Sequence, residues 1–363
     1  MKKRMIIAGG GTGGHIFPAI AIANALRKAA PDVEILFVGA KGKMEMEKVP
    51  QAGYPIKGLD IAGFNRSSLL KNITLPVKLV RSFFQVRRIL RDFRPDAVIG
   101  VGGYSSFPVL RLAQKMGIPS FLHESNSFAG KTNQLLGKRA TNIFVATEGM
   151  EKFFPAEKIM VTGNPVRSSI SGTLPDRDQA LRSFGLDPAR TTVLSVGGSL
   201  GARSINLAME AGLPKLEAAG LQLIWQVGKG NLPAQVPAAG EGKSWLVVSE
   251  FIPDMERAYA AADIVVSRAG AMAIAELCVV QKPAILVPYP FAAEDHQTVN
   301  ATVLVDKQAA IMVKDSEVKE KLVDTILELA KDPLEQKALK QHISPLGARN
   351  ADEVIAAAIL KHS

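Results

Sequence analysis

The chain has 363 residues, 47% of them hydrophobic, and a formal net charge of +10, which is enough sequence for two domains of roughly 100–200 residues each. No apolar run approaches the roughly 18–20 residues that cross a bilayer, and residues 1 to 4 lead directly into a strand pattern, so we expect a soluble protein without a cleaved signal. The single cysteine, Cys278, lies in an apolar helical run; this excludes a disulfide framework and makes a reducing cytoplasm the default compartment.

The first element is a strand followed by a glycine loop and a helix, RMIIA-GGGTGGH at residues 4 to 15. Backbone amides at such a helix start can bind phosphate or pyrophosphate. Gly9, Gly11 and Gly14 match the dinucleotide pattern G-x-G-x-x-G, which normally places an acidic residue about 20 residues further on, at the end of the second strand. Here the second strand ends in VGAK at residues 38 to 41, and the missing acid disfavours a nicotinamide-dependent oxidoreductase.

Strands and helices alternate through the rest of the first half, which predicts right-handed crossovers and a parallel sheet. Another glycine loop follows one strand at residues 102 to 106, and the polar run HESN follows the next at 123 to 126. A Walker phosphate loop is excluded because the GKT at residues 130 to 132 has Ser125 where the leading glycine should be. The predicted strands cover residues 33 to 39, 96 to 102, 119 to 124 and 142 to 147.

Most of the excess positive charge lies in one segment. Residues 64 to 94 contain eight Lys or Arg side chains against one Asp, a net charge of +7, together with more apolar side chains than one buried stripe needs. Two interpretations stay open, a helix lying on an anionic membrane surface and an ordinary amphipathic helix with one solvated face. The membrane interpretation places these side chains at the lipid: Lys78, Arg81, Phe83, Phe84, Arg87 and Arg88.

Nucleic acid is not an expected partner, because the sequence contains no aromatic stacking platform, recognition helix or zinc-ligand cluster. The glycine, proline and serine content of residues 163 to 178 predicts an interdomain linker. Asp176-Arg177-Asp178 has the D-x-D form of some metal sites, but it lies just ahead of a helical pattern and is better explained as a helix cap. The five histidines have no ligand spacing, so we expect no metal ion.

The second half repeats the plan of the first. A strand and glycine loop, TTVLSV-GGSLGAR, occupy residues 191 to 203, and an acidic N-terminal turn starts a last helix over residues 351 to 361. The predicted strands cover residues 221 to 228, 244 to 251, 262 to 267 and 283 to 289. Because polar runs follow these strands, as they follow those of the first half, we predict two doubly wound α/β domains facing a cleft that binds an anionic ligand.

Seven ordered motifs between residues 9 and 301 together resemble the MurG family of bacterial glycosyltransferases. They are GGGTGGHIFPA, GVGGYSSFP, HESNSFAGKTN, GNPVR, GGSLGAR, SRAGAMAIAE and EDHQTVNA. The resemblance implies a GT-B fold, with residues 1–166 as an N-terminal Rossmann-like domain for the acceptor and 167–345 as a C-terminal one for the UDP-sugar. It also implies that the C-terminal helix segment, residues 346–363, returns to the N-terminal domain.

The resemblance further implies which residues bind the donor, UDP-N-acetylglucosamine. On the N-acetylglucosamine side they are Thr12, Gly13, Gly14 and Asn126. The nucleotide and its phosphates would be held by Arg167, Ser199, Ala271, Met272, Ala273, Ile274, Ala275 and Glu276. Ile252 would contact the uracil through its main chain, and Gln297 would contact the sugar. Without a metal or cofactor, amides, hydroxyls and the helix dipole would have to stabilise the departing UDP.

The reaction implied is an inverting transfer to the C4 hydroxyl of undecaprenyl-pyrophosphoryl-MurNAc-pentapeptide, which converts lipid I to lipid II in peptidoglycan synthesis. His15 is the first candidate for the group that takes the hydroxyl proton, because an unperturbed imidazole titrates at about pH 6.5, and Glu124 is the second. A structural role for His15, bonding the loop or the donor phosphates, is the alternative. A polyprenyl acceptor favours the membrane interpretation of residues 64 to 94 and a peripheral location on the cytoplasmic face of the inner membrane.

Other functions remain open from the sequence. Within the fold they are a diacylglycerol glycosyltransferase and a UDP-N-acetylglucosamine 2-epimerase. From other classes they are the oxidoreductase and a basic, membrane-binding protein without enzymatic activity. Binding of UDP without any response to NAD would separate the nucleotide-sugar enzymes from the other two.

Overall fold

The computed structural model describes residues 2–63, 75–198, 200–233 and 244–363. The contacts within the chain divide it into two compact units. The first, unit 1, consists of Met1–Arg167 together with Asn350–Ser363, and the second, unit 2, of Ser168–Arg349. No helix in the described ranges combines the length and the apolar character needed to span a bilayer.

Unit 1 is built around a parallel sheet of seven strands in the order β3-β2-β1-β4-β5-β6-β7. The strands are β1 Arg4–Ala8, β2 Glu34–Ala40, β3 Ile56–Leu59, β4 Ala97–Gly100, β5 Ser120–Glu124, β6 Asn142–Val145 and β7 Ile159–Val161. Its helices are α1 Gly13–Ala29, α2 Glu45–Gln51, α3 Leu75–Phe93, α4 Ser106–Lys115 and α5 Lys131–Gly137, with the last helix of the chain added to them.

Unit 2 has a parallel sheet of six strands in the order β10-β9-β8-β11-β12-β13. The strands are β8 Thr192–Val196, β9 Gln222–Gln226, β10 Leu246–Ser249, β11 Ile264–Ser267, β12 Ala284–Leu286 and β13 Ile311–Met312. The first five helices of unit 2 are α6 Ser168–Ser171, α7 Arg177–Ser183, α8 Arg203–Ala218, α9 Met255–Ala261 and α10 Ala271–Val280. The last three are α11 His296–Asp306, α12 Val318–Lys331 and α13 Pro333–Ile343. The last helix of the chain, α14 Ala351–Lys361, belongs to unit 1. Two parallel-sheet α/β domains are confirmed.

Both faces of the first sheet are covered, which explains why its strands are continuous apolar runs. Along β1, Met5 and Ile7 belong to a core beneath α1, whereas Ile6 and Ala8 belong to a second core that includes residues of α3 and α4. All four side chains are fully buried. Alternate residues of one strand therefore supply two separate cores.

The final helix, α14, packs against α1 within unit 1. Ile355 and Ile359 are fully buried in the core that α1 also lines, and burial of such a side chain contributes roughly 1.5–3 kcal/mol. Lys28 of α1 forms an exposed ion pair with Glu353 at 2.8 Å. The helix that the sequence predicts at residues 351 to 361 is confirmed, although Asn350 makes no side-chain capping bond.

The segment predicted as a linker contains two helices, the short α6 and the start of α7. Asp176 caps α7, since its carboxylate accepts a hydrogen bond from the Gln179 amide at 3.0 Å. Arg177 forms two hydrogen bonds with the Asp263 carboxylate, at 3.0 and 2.7 Å. The interpretation of Asp176-Arg177-Asp178 as a helix cap is thus confirmed, and no cluster of metal-ligand side chains occurs in the described ranges.

Candidate functional site

The first glycine loop connects β1 to α1 and packs tightly against the loop that follows β4. Gly9 and Gly10 have positive φ angles of 153° and 147°. A Cβ on Gly9 would lie 2.5 Å from Val101 Cγ2 and 2.6 Å from the Gly102 carbonyl oxygen, so a larger residue would force the loops apart. The amides of Gly9 and Gly10 donate to the Val38 and Gly102 carbonyls. These two amides are therefore already hydrogen-bonded within the protein.

His15 lies in the first turn of α1, half-buried, with its ring against Gly102. Its Nδ1 lies 3.1 Å from the Gly10 carbonyl oxygen and 3.3 Å from the Thr12 hydroxyl. A carbonyl can only accept, so this contact favours the tautomer with the proton on Nδ1, which leaves the lone pair on Nε2. That nitrogen is then an acceptor for a proton, as a general base requires.

Glu45 is a residue of this site that the sequence analysis missed. It begins α2, is only 1% exposed, and its two carboxylate oxygens accept from the Gly11 and Ala40 amides, each at 2.9 Å. The dinucleotide pattern places an acid at the end of β2, whereas this one lies five residues beyond Ala40. The only signal in the sequence is an acidic residue flanked by methionines, Met44 and Met46.

Glu124, the second proton-acceptor candidate, ends β5 and is 5% exposed. One carboxylate oxygen accepts from the Asn126 amide at 3.1 Å and from its side chain at 3.3 Å, and the other accepts from Asn133 Nδ2 at 2.8 Å. Burial raises the pKa of Glu124, and the Asn133 and Asn126 donors partly lower it. These contacts give the carboxylate a role in holding the loop between β5 and α5.

His123 precedes Glu124 and is completely buried. Burial, and then the charge of the nearby His15, lower the pKa of His123 to about 4, while the Gly163 backbone and the Asn164 side chain oppose this shift. The imidazole is therefore neutral at pH 7. In the sequence, His123 is only one member of the polar run HESN, and no role for it could be predicted.

The predicted donor residues of unit 1 lie beyond the carboxyl ends of β1, β5 and the edge strand β7. Thr12, Gly13 and Gly14 follow β1 and form the start of α1, where Thr12 is exposed. Asn126 follows β5 and is half-buried. Arg167 follows β7, and its guanidinium lies 5.7 Å from the ring centre of Phe17 in α1. Arg167 is thereby placed beside the first turns of α1.

The second glycine loop connects β8 to α8 in unit 2, and Ser199 within it lies outside the described residues. Gly201 has a φ of 75°, and a Cβ there would overlap the Val227 carbonyl. Close approach of the loops after β8 and β9 therefore requires glycine at this position. The amide of Gly201 donates to the Gly198 carbonyl at 2.9 Å.

The loop after β11 opens into α10, whose first six residues are all partly exposed. They are the predicted nucleotide-binding run Ala271, Met272, Ala273, Ile274, Ala275 and Glu276. Glu276 accepts a hydrogen bond from the Tyr259 hydroxyl at 3.0 Å. The Ile274 amide donates to the Gly270 carbonyl at 3.0 Å. The run therefore combines the N-terminal turn of a helix, the end that favours anions, with a carboxylate.

Arg268, the first residue of that loop, is held by hydrogen bonds within the protein. Its guanidinium donates to Asp315, to the Ser204 hydroxyl and to the Val287 and Pro288 carbonyls. Its side chain is 13% exposed. This arginine thus links the ends of several strands and is not placed as a phosphate ligand.

The two remaining donor residues follow two strands of unit 2 that are not adjacent in its sheet, β10 and β12. Ile252 follows β10, and its side chain is buried. Gln297 lies in the first turn of α11 after β12, and its side-chain oxygen accepts from the Tyr289 amide at 3.0 Å. Both Glu294 and Asp295, just before α11, have positive φ angles, 54° and 51°.

Five of the six predicted membrane contacts are exposed on α3, namely Lys78, Arg81, Phe84, Arg87 and Arg88. Phe83 is different, because it is half-buried and meets Phe107 of α4 edge-on at a centroid distance of 6.1 Å. Arg66 and Lys71, which contribute to the charge of residues 64 to 94, lie outside the described residues.

Comparison with known proteins identifies both halves of the chain. The glycosyltransferase family 28 N-terminal domain matches residues 5–145, and the family 28 C-terminal domain matches residues 192–355. Proteins of Phocaeicola vulgatus and Bacteroides thetaiotaomicron are 54% and 52% identical to this chain, covering 99% of it and 96% and 98% of their own lengths. Both are named UDP-N-acetylglucosamine--N-acetylmuramyl-(pentapeptide) pyrophosphoryl-undecaprenol N-acetylglucosamine transferase.

A solved structure agrees with these relatives. MurG of Acinetobacter baumannii matches with a TM-score of 0.77 at 27% identity, over 99% of this chain and 99% of that one. The fold, the two family domains and the full-length relatives all point to one family. The chain belongs to glycosyltransferase family 28 and, within it, to the MurG family of N-acetylglucosamine transferases.

Proposed function

We propose that this enzyme transfers N-acetylglucosamine from UDP-N-acetylglucosamine to the C4 hydroxyl of undecaprenyl-pyrophosphoryl-MurNAc-pentapeptide, with inversion, converting lipid I to lipid II. The observation that carries this proposal is the 54% identity, over 99% of the chain, to a relative named for this transfer. Loops at the carboxyl ends of both sheets supply the chemistry that the reaction needs.

The nucleotide end of the donor is bound by unit 2 in this proposal. The first-turn amides of α10 face the diphosphate, where the helix dipole favours negative charge. Glu276 accepts the ribose hydroxyls, and the hydrogen bond from Tyr259 holds its carboxylate in place. Ile252 contacts the uracil and Gln297 the sugar, with Ser199 in the second glycine loop as a further phosphate contact. Arg167, the one nucleotide contact of this proposal that belongs to unit 1, completes the set.

The reacting end of the donor is bound by residues of unit 1, namely Thr12, Gly13, Gly14 and Asn126. The acceptor C4 hydroxyl attacks the anomeric carbon, its proton passes to His15 Nε2, and the bond from that carbon to UDP breaks. The Gly10 carbonyl, 3.1 Å from Nδ1, stabilises the imidazolium that forms. Glu124 remains the second candidate for proton acceptor, with two oxygens already occupied by loop donors.

Membrane attachment through α3 is a further part of the proposal. Val77, Val80 and Phe84 are 67%, 57% and 69% exposed, and their spacing places them on one face of the helix. Arg87 and Arg91 continue that face and line a cavity of about 340 Å³ with Leu112, Lys115 and Met116. Apolar side chains beside cations suit an anionic lipid surface, so we place the enzyme peripherally on the cytoplasmic face of the inner membrane.

Transfer of radiolabelled N-acetylglucosamine from the UDP-sugar to the lipid-linked acceptor tests the proposed reaction. We expect label in the lipid fraction in proportion to enzyme, and release of UDP in equal amount. A 2-epimerase would change the sugar nucleotide without labelling the lipid, and a diacylglycerol transferase would label diacylglycerol instead. Either result would refute the proposal.

Replacing Glu276 with glutamine tests the donor site separately. We expect weaker UDP binding by roughly tenfold or more, because a carboxylate that accepts charge-assisted hydrogen bonds from a ligand contributes about 1.5–3 kcal/mol. Isothermal titration with UDP measures the change. Glu256→Gln, the same chemical change at a half-buried position of α9, should bind UDP like the unmodified enzyme, and unchanged binding by Glu276→Gln would exclude the ribose contact.

Charge reversal on α3 tests membrane attachment. The triple change of Arg81, Arg87 and Arg88 to glutamate should abolish sedimentation with anionic vesicles, because each basic residue near such a surface contributes about 1 kcal/mol. The matched control reverses three exposed lysines of unit 2, Lys319, Lys331 and Lys337, and should sediment normally. Equal vesicle binding by the two triple variants would contradict attachment through α3.

A further inference from the structure

The buried carboxylate of Glu45 occupies a space that two glycines leave open. A Cβ on Gly39 would lie 2.5 Å from Glu45 Cγ, and a Cβ on Gly10 would overlap the carboxylate itself. The Ala40 and Gly11 amides supply one hydrogen bond to each oxygen. The space left by the two glycines and the two amide donors together form a specific position for a carboxylate within unit 1.

The hydrogen bonds of Glu45 limit what the first glycine loop can bind. With the Gly11 amide donating to Glu45, and the Gly9 and Gly10 amides donating to carbonyls, the loop presents no free amide before Thr12. A negative charge behind the loop also opposes a second anion in front of it. The loop is therefore unsuited to a diphosphate and better suited to the uncharged sugar and hydroxyl at the reacting centre.

The same hydrogen bonds connect Glu45 to His15. The Glu45 carboxylate fixes the Gly11 amide, and the peptide unit that carries this amide also carries the Gly10 carbonyl. That carbonyl lies 3.1 Å from His15 Nδ1. One planar peptide group therefore transmits the position of the carboxylate to the imidazole.

We propose that Glu45 is a positioning residue for sugar transfer, acting through the Gly10–Gly11 peptide to set the tautomer and orientation of His15. This inference rests on the proposed function, because it requires His15 to accept the acceptor proton. Glu45 itself touches neither substrate. Its removal should therefore slow the chemical step and leave donor binding, which we assign chiefly to unit 2, nearly unchanged.

The test compares Glu45→Gln with Glu47→Gln, an exposed change in the same helix. Glutamine keeps the shape but turns a donor toward one of the two amides, so the Gly10–Gly11 peptide must shift. We expect kcat for lipid labelling to fall roughly 10- to 100-fold, while the KM for UDP-N-acetylglucosamine changes by less than about threefold. Glu47→Gln should keep both constants.

A double substitution separates positioning from general loss of structure. In a His15→Gln background, adding Glu45→Gln should lower kcat by less than about twofold, because the route through His15 is already lost. Multiplication of the two single effects would overturn the inference, as would an unchanged kcat, or a KM that changes by more than about threefold, in Glu45→Gln alone. Failure of the unmodified enzyme to label the lipid would instead refute the proposed function.

A second variant covers the case in which Glu45→Gln does not fold. Glu45→Asp keeps the charge but is one methylene shorter, so it cannot reach both amides. It should lose kcat relative to Glu47→Asp, with the same small change in KM and the same non-additivity with His15→Gln. A cooperative thermal transition confirms that each variant is folded, and full activity of Glu45→Asp would overturn the inference.

Discussion

Replacing His15 with glutamine is expected to lower the rate of sugar transfer by roughly 10²–10⁴-fold, the usual contribution of a positioned general base. Glutamine can still donate to the Gly10 carbonyl, as His15 Nδ1 does across 3.1 Å, so the loop keeps its contact. It cannot accept a proton from the acceptor hydroxyl. The loss should therefore appear in kcat, whereas the KM for the donor should change little.

The measurement is steady-state labelling of the lipid acceptor at saturating UDP-N-acetylglucosamine. His362→Gln is the matched control, since it makes the same chemical change just beyond the end of α14, and it should keep full activity. UDP binding by His15→Gln, measured by calorimetry, should equal that of the unmodified enzyme. If His15→Gln retains more than about a third of kcat, Glu124 becomes the preferred base.

The free energy of unfolding should fall by about 3 kcal/mol between pH 7.5 and pH 4 because of His123 alone. Its pKa is about 4 in the folded protein, whereas an exposed imidazole in the unfolded chain has a pKa of about 6.5. Between these values the unfolded chain binds a proton that the folded protein does not. The stability is therefore complete above about pH 6.5 and is lost as the pH falls toward 4.

Denaturant unfolding of the enzyme and of His123→Gln at both pH values measures this contribution. The variant lacks the titrating group, so its loss of stability over the interval should be smaller by about 3 kcal/mol. Glu124 works in the opposite direction, because its raised pKa makes protonation favourable to the folded state, and the comparison cancels its contribution. Equal losses in both proteins would show that His123 is not buried as a neutral group.

Much of the fold could be predicted because its signals are local. Apolar runs bounded by glycine or proline predicted eight strands, in addition to β1 and β8, the strands that precede the two glycine loops. The short strands β3, β7 and β13 were missed. They contain two to four residues and are held largely by pairing with one neighbour each, so their own sequence contains little periodicity.

In the site, too, some features could be predicted from local sequence and others could not. Residues at strand ends, such as His15 and Glu124, could be chosen because chemistry in α/β domains gathers there. The contacts made by the side chains around the site could not be predicted in this way. The Arg268 side chain is engaged by Asp315, 47 residues away in sequence, and Phe83 of α3 is half-buried against Phe107.

The sequence by itself determined two α/β halves, a glycine loop at the start of each and the family to which the chain belongs. Local spacing encodes those features, since strand period, turn glycines and motif order are all read within short windows. Only the tertiary structure decided that Glu45 holds the first loop and that His123 is buried as a neutral imidazole. Each of these depends on contacts between residues distant in sequence, whose burial and hydrogen bonds exist only once the sheet has assembled.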